Sequence, residues 1–235
     1  MSPRRLKVQQ YGKDNRIDNM LYPITEFTVI RHGRTEANAL NIIQGQSNTR
    51  LDDLGRKQAA CAAERLKNKS FDILFCSDLD RTKDTAAILL TKTHASEIHY
   101  TPELREWDLG ELVGEPVKLA REKYPAVFNG REKEGENIRI LKGESRRDLY
   151  LRTTRFLEWA AENHAGKKIL LVTHAGPLRA MFRYVAGEVI PQALTPRVDN
   201  VSLSRFQKKD GLWQLLTWND TAHLESAGSS DSIAP

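Results

Sequence analysis

The sequence predicts an α/β fold: a mostly parallel central sheet with helices on both faces and one antiparallel edge strand. Three observations carry the prediction. The runs Phe27-Thr28-Val29-Ile30, Phe71-Asp72-Ile73-Leu74-Phe75-Cys76 and Ile169-Leu170-Leu171-Val172 are short and largely apolar, as strands buried on both faces are. Segments of helical period separate them, so strands alternate with helices. Two closing strand-like segments are joined through Lys208-Lys209-Asp210-Gly211, which is a hairpin signal.

Each element follows from local signals. The first strand, about 26–31, leads into a polar loop over 33–50. Asp52 or Asp53 caps a helix of about 53–67, with Ala59, Ala63 and Leu66 on its inward face. A strand over 71–76 leads through Ser77-Asp78 into a helix of about 80–91, followed by a short strand near 97–101. Residues 103–143 are irregular, with helical pieces near 116–124, and read as a lid or insertion. Ser145 and Asp148 form a capping box that opens a helix of about 146–163. Strand 168–173, helix 177–186 and the pair 200–207 and 212–218 complete the set.

A chain of 235 residues supports one substantial core, so the expectation is a single domain over 25–224. Residues 1–24 are expected to form a flexible basic extension, and 225–235 a flexible tail. The net charge of +5 sits mostly in Arg4, Arg5, Lys7, Lys13 and Arg16, which leaves the rest near neutral. Nucleic-acid binding is therefore not expected. No apolar run approaches the ~20 residues of a membrane span, and no secretory leader is visible, so a cytoplasmic protein with no membrane partner is expected. Cys61 and Cys76 read as buried reduced thiols, and neither Cys nor His shows metal-ligand spacing.

The chemistry concentrates at strand ends. Arg31-His32-Gly33 follows the first strand, Ser77 to Arg81 the second, and His174-Ala175-Gly176 the late one. In an open parallel sheet, functional groups gather at the carboxyl ends of the strands. Two histidines and two arginines delivered to one edge suit a phosphoryl group, whose oxygens accept from guanidinium forks and imidazoles. Gly33 and Gly176 let the backbone approach closely, and N–H groups after Gly176 offer a further anion position. His94, His99, His164 and His223 lack such a context and are assigned structural or surface roles.

The string Arg31-His32-Gly33-Arg34-Thr35-Glu36-x-Asn38 resembles the signature of the histidine phosphatase superfamily, phosphoglycerate mutase-like branch. The resemblance continues in order through Gln44-Gly45-Gln46, Leu51-Asp52-x-x-Gly55-x-x-Gln58-Ala59 and Ser77-Asp78-Leu79-x-Arg81-Thr82-x-x-Thr85-Ala86. Leu104-Arg105-Glu106, Gly143-Glu144-Ser145, Val172-Thr173-His174-Ala175-Gly176 and Asn219-Asp220-x-x-His223-Leu224 extend it over about residues 26–224. It implies a phosphoglycerate mutase-like fold and a phosphohistidine formed on His32. It further implies that Arg31, Arg81 and His174 bind the phosphoryl oxygens, with Asn38, Gln44, Gly45, Ala175 and Gly176 lining the substrate site. Glu106 is implied as the general acid and then base, and no metal or organic cofactor is implied.

The sequence departs from the family pattern at Arg34, where Glu is commonest, and at Leu112-Val113, where an aromatic-Glu pair is usual. Both departures bear on the substrate. The preferred function is hydrolysis of a small phosphomonoester. The alternatives are a phosphoglycerate mutase and a catalytically silent binding module. Mutases of the family resemble one another in a longer basic insertion after the acid/base glutamate. Here Arg121, Lys123, Arg131 and Arg139 are offset by Glu115, Glu122, Glu132 and Glu134, which favours the phosphatase. His32, Arg81, Glu106 and His174 are all present, which disfavours the silent module. A homodimer is compatible with the sequence.

Overall fold

The computed structural model describes residues 23–128, 136–140, 142–187 and 195–227. The expected basic extension up to residue 22, the tail from 228, and Arg131, Glu132 and Glu134 lie outside the described residues.

The described strands are β1 (Thr25–Arg31), β2 (Ser70–Ser77), β3 (His94–Thr101), β4 (Lys168–Thr173), β5 (Leu203–Lys209) and β6 (Leu212–Asp220). They form one sheet in the order β3-β2-β4-β1-β5-β6. The first four in that order pair in parallel, whereas β5 is antiparallel to both β1 and β6. The antiparallel part is thus an edge pair, with the reversed strand β5 one place in from the rim.

Seven α-helices are described: α1 (Glu36–Ala39), α2 (Asp53–Arg65), α3 (Asp80–Leu89), α4 (Val117–Lys123), α5 (Pro125–Phe128), α6 (Arg146–Asn163) and α7 (Ala175–Val185). The period-2 alternation of β4 decides how they layer. Leu170 and Val172 join Ile30, Leu74 and Cys76 under Ala62, Ala63, Ala86 and Leu89 of α2 and α3. Ile169 and Leu171 join Phe27, Val29 and Ile73 under Phe156, Leu157, Leu178 and Met181 of α6 and α7. Truncating Leu170 or Leu171 to Ala costs about 2–5 kcal/mol at such fully buried positions.

Differences from the sequence reading have local causes. The expected loop over 33–50 contains α1, because Thr35 and Asn38 form a capping box around one turn too short to show a period. Strand β3 starts at His94 rather than 97, drawn out by pairing with Ser70 and Phe71, while its mostly exposed residues give no apolar alternation. Helix α7 starts at Ala175 with His174 as its N-cap, so Pro177 is its third residue, where no N–H is needed. Asp52, not Asp53, caps α2 through the Gly55 N–H. Cys76 is buried, but Cys61 is only half-buried, contrary to expectation. Within 103–143, Leu109, Leu112, Ala120, Val127 and Ile140 build a small separate core with Ile43.

Candidate active site

The sheet order places β4 between β2 and β1, so the ends of three neighbouring strands converge. Arg31 of β1 stands in register with Thr173 of β4, and the His32 N–H donates to the Thr173 carbonyl at 3.0 Å. His32 and His174 are both buried, with ring centroids 5.0 Å apart. Arg81, near the start of α3 after β2, is also fully buried.

Hydrogen bonds fix the tautomer of each imidazole. His32 Nδ1 lies 2.8 Å from the Gly33 carbonyl, which can only accept, so Nδ1 carries the proton and Nε2 keeps its lone pair. The Arg81 Nε–H can only donate, so His174 Nδ1 accepts from it at 3.2 Å. The proton of His174 then lies on Nε2, which donates to Ser77 Oγ at 2.9 Å. Burial, with Arg81 and Arg31 next, holds His32 well below the usual histidine value. His174 is shifted the same way by burial, Arg81 and His32. Both rings are therefore neutral at neutral pH.

The arginines remain charged although burial lowers each to about 10. Arg81 spends much of its fork on the protein, donating to the Ser47 and Gly45 carbonyls at 2.8 Å each. Arg31 donates one N–H to the Val198 carbonyl at 2.6 Å, while its buried Nε has no partner. An unspent guanidinium donor in a buried cationic site suits an anion.

Glu106 reaches the same place from the 103–143 segment. Its Oε1 accepts from the Trp107 and Gly176 N–H groups, each at 2.9 Å. The anion position expected from N–H groups after Gly176 is corrected by the structure: Pro177 has no N–H, and the Leu178 N–H donates to the His174 carbonyl at 3.2 Å. Ala175 is buried and packs into the core on the α6–α7 face. The loop before Glu106 is tied down by Thr173, whose hydroxyl donates to the Leu104 carbonyl at 2.7 Å, and by Arg105, which grips Asp78 with two bonds of 2.6 Å. Arg152 bonds Glu144 at 2.6 Å and also donates to the Arg105 carbonyl at 3.1 Å.

Asn38 and Gln44 sit beside this cluster. Asn38 Oδ1 accepts from the Thr35 N–H, and Gln44 Oε1 accepts from Thr35 and Thr49, so both side-chain carbonyls are engaged. The loop after His32 lies tight against α2. A Cβ at Gly33 would be 2.5 Å from the Gly55 carbonyl oxygen, and one at Gly55 would be 2.0 Å from the Arg34 carbonyl oxygen. The side chain of Arg34 pairs with Asp52 at 2.8 Å.

Some residues of the site carry no sequence signal of their own. Thr85 accepts from the Gly33 N–H at 3.1 Å, and buried Asn200 donates from Nδ2 to the His32 carbonyl at 2.9 Å. Thr85 stands within the family-like string but without a stated role, and Asn200 is separated from His32 by 168 residues. No local periodicity reveals such a contact. Among the described residues, no group of three or more His, Cys, Asp or Glu is placed to hold a metal ion.

Residues 27–221 match the family described as histidine phosphatase superfamily (branch 1). A metal-independent phosphoserine phosphatase of Arabidopsis thaliana is 33% identical over 207 residues, covering 87% of this chain and 85% of that protein. Phosphoglycerate mutase-like protein 4 of the same plant is 34% identical, covering 92% of this chain and 94% of that protein. The structure of a phosphoserine phosphatase from Entamoeba histolytica superposes with a TM-score of 0.74 at 24% identity, covering 85% and 99% of the two chains, and shows the shared fold.

Proposed function

We propose that this chain, which belongs to the histidine phosphatase superfamily, hydrolyses small phosphomonoesters through a phosphohistidine on His32. The observation that carries the reading is the tautomer of His32. Its Nδ1–H is committed to the Gly33 carbonyl, which leaves Nε2 with its lone pair, and the charges of buried Arg81 and Arg31 act on the same ring. The resemblance of the chain to a phosphoserine phosphatase over 87% of its length supports hydrolysis, and isomerisation, which the mutase-like relative suggests, is the alternative that the test separates.

In the first step, the Nε2 lone pair attacks phosphorus in line and the P–O ester bond breaks. Glu106, as the general acid, gives a proton to the leaving oxygen. In the second step, Glu106, now a carboxylate, takes a proton from water as the water oxygen attacks phosphorus. The N–P bond breaks and returns neutral His32. Arg31 and Arg81 lower the barrier by holding the charge that spreads over the non-bridging oxygens, and His174, whose one N–H is spent on Ser77, orients Arg81 by accepting its Nε–H. Asn38 and Gln44 supply amide donors at the rim, and Gly45 positions Arg81 through its carbonyl. The 103–143 segment acts as the lid over the leaving group, supported by its own small core and by Glu106 at its base. A reducing cytoplasmic compartment belongs to the same reading, in keeping with the free thiols Cys61 and Cys76.

The test is phosphate release from a panel of small phosphomonoesters, with 3-phosphoglycerate included and 2,3-bisphosphoglycerate present or absent. Phosphate release without 2-phosphoglycerate, abolished in His32→Ala, is the expected result. Glu106→Gln is expected to lose about 10²–10⁴-fold, most with poor leaving groups. Efficient bisphosphate-stimulated isomerisation would replace the phosphatase by a mutase. Near-wild-type turnover in His32→Ala would remove the nucleophile assignment.

A further inference from the structure

The peptide bond between His32 and Gly33 is held from both sides. Its carbonyl accepts from Asn200 Nδ2 at 2.9 Å, and its N–H donates to Thr85 Oγ1 at 3.1 Å. One peptide further on, the Gly33 carbonyl is the acceptor that fixes the His32 Nδ1–H at 2.8 Å. The imidazole is therefore oriented by backbone, and that backbone is oriented by Asn200 and Thr85.

Asn200 is itself built in at a cost. It is buried, and its Oδ1 has no hydrogen-bond partner. The next residue, Val201, has a φ of 57°, which is strained for a β-branched side chain. The Val201 N–H donates to the Arg31 carbonyl at 3.1 Å, and Arg31 in turn bonds the Val198 carbonyl at 2.6 Å. Residues 198–201 thus clip the Arg31–His32 backbone and one guanidinium N–H together. A packing role needs neither an unpaired buried amide oxygen nor a left-handed valine. Strain and an unsatisfied polar atom beside a reactive group suit a part held for geometry.

We propose that Asn200 is a positioning residue for the nucleophile: with Thr85 it clamps the His32–Gly33 peptide and so keeps the Gly33 carbonyl where it selects the Nδ1–H tautomer of His32. The proposal rests on His32 being the nucleophile. It assigns to a side-chain amide and a backbone carbonyl the orienting work that a carboxylate performs in a Ser-His-Asp triad, where loss of the correct tautomer is severe. Asn200 Nδ2 also lies 3.5 Å from Asn38 Oδ1, which links the clamp to the rim of the site.

The experiment compares the wild type with Asn200→Ala, reading the His32 tautomer by ¹⁵N NMR and the rate of phosphohistidine formation in a single turnover. The expected result is a single Nδ1–H tautomer in the wild type and a mixture in Asn200→Ala. The phosphorylation rate should fall about ten- to a hundredfold with KM nearly unchanged. Thr85→Val releases the other side of the same peptide and is expected to shift both readings the same way. It serves as the second variant if Asn200→Ala does not fold. An unchanged tautomer and phosphorylation rate in a folded variant would overturn the proposal, as would a loss confined to KM. If the wild type forms no phosphohistidine, the nucleophile reading fails, while an unchanged tautomer would separately defeat the clamp.

Discussion

The Gly176 N–H donates to Glu106 Oε1 at 2.9 Å, and a Cβ at position 176 would lie only 2.2 Å from that oxygen. The first N–H groups of α7 have no intrahelical partner, so this one is available to hold a carboxylate. The contact joins Glu106, the proposed general acid and base, to the helix that follows the second histidine.

Gly176→Ala must therefore push Glu106 aside. The expected outcome is a folded protein whose kcat falls about 10- to 100-fold with poor leaving groups and less with good ones, because a basic leaving oxygen depends most on the proton that Glu106 gives. A leaving-group series of aryl and alkyl phosphates checks this. An equal loss across the series would show that the contact does not position the acid.

Gly55 poses a different constraint. A Cβ there would be 2.0 Å from the Arg34 carbonyl oxygen, a backbone atom that cannot swing away as a side chain does. Gly55→Ala is expected to cost about 1–3 kcal/mol through overpacking and to lower turnover by shifting the loop that carries His32. Urea denaturation and turnover read the two effects, and retention of both would mean that the loop gives way freely.

Acidification should weaken the fold from a known starting point. His32 and His174 are held well below the ordinary value of 6.5, chiefly by burial. Below 6.5 the unfolded chain takes up protons at these residues while the folded chain does not. The stability they contribute is complete above 6.5 and is lost as pH falls beneath it, by about 1.4 kcal/mol per pH unit for each histidine. Denaturation at pH 7.5 and 5.5 measures the drop, and His32→Asn should lessen it. Equal drops in the variant and the wild type would contradict the assignment to His32.

The two cysteines should differ towards thiol reagents. Burial raises Cys76 to about 12, so it holds almost no thiolate at neutral pH, whereas Cys61 is half-buried on α2. Mild alkylation of the native protein followed by peptide mass mapping is expected to label Cys61 and spare Cys76. Prompt labelling of Cys76 would show that β2 opens readily.

Sequence alone determined the layered α/β architecture, because the buried strands announce themselves as apolar runs and the helices as periodic faces. It also singled out His32, Arg81, Glu106 and His174 as candidates, since each stands in a motif at or near an element end. Tertiary structure alone decided what those residues do to one another. The tautomers of His32 and His174 depend on partners at Gly33, Arg81 and Ser77, and the His32 carbonyl is held by Asn200, 168 residues away. The capture of the Gly176 N–H by Glu106 was equally hidden, because it joins segments 70 residues apart. Local patterning encodes which faces are buried, but hydrogen-bond partners across strand ends exist only once the sheet order has brought β1, β2 and β4 side by side.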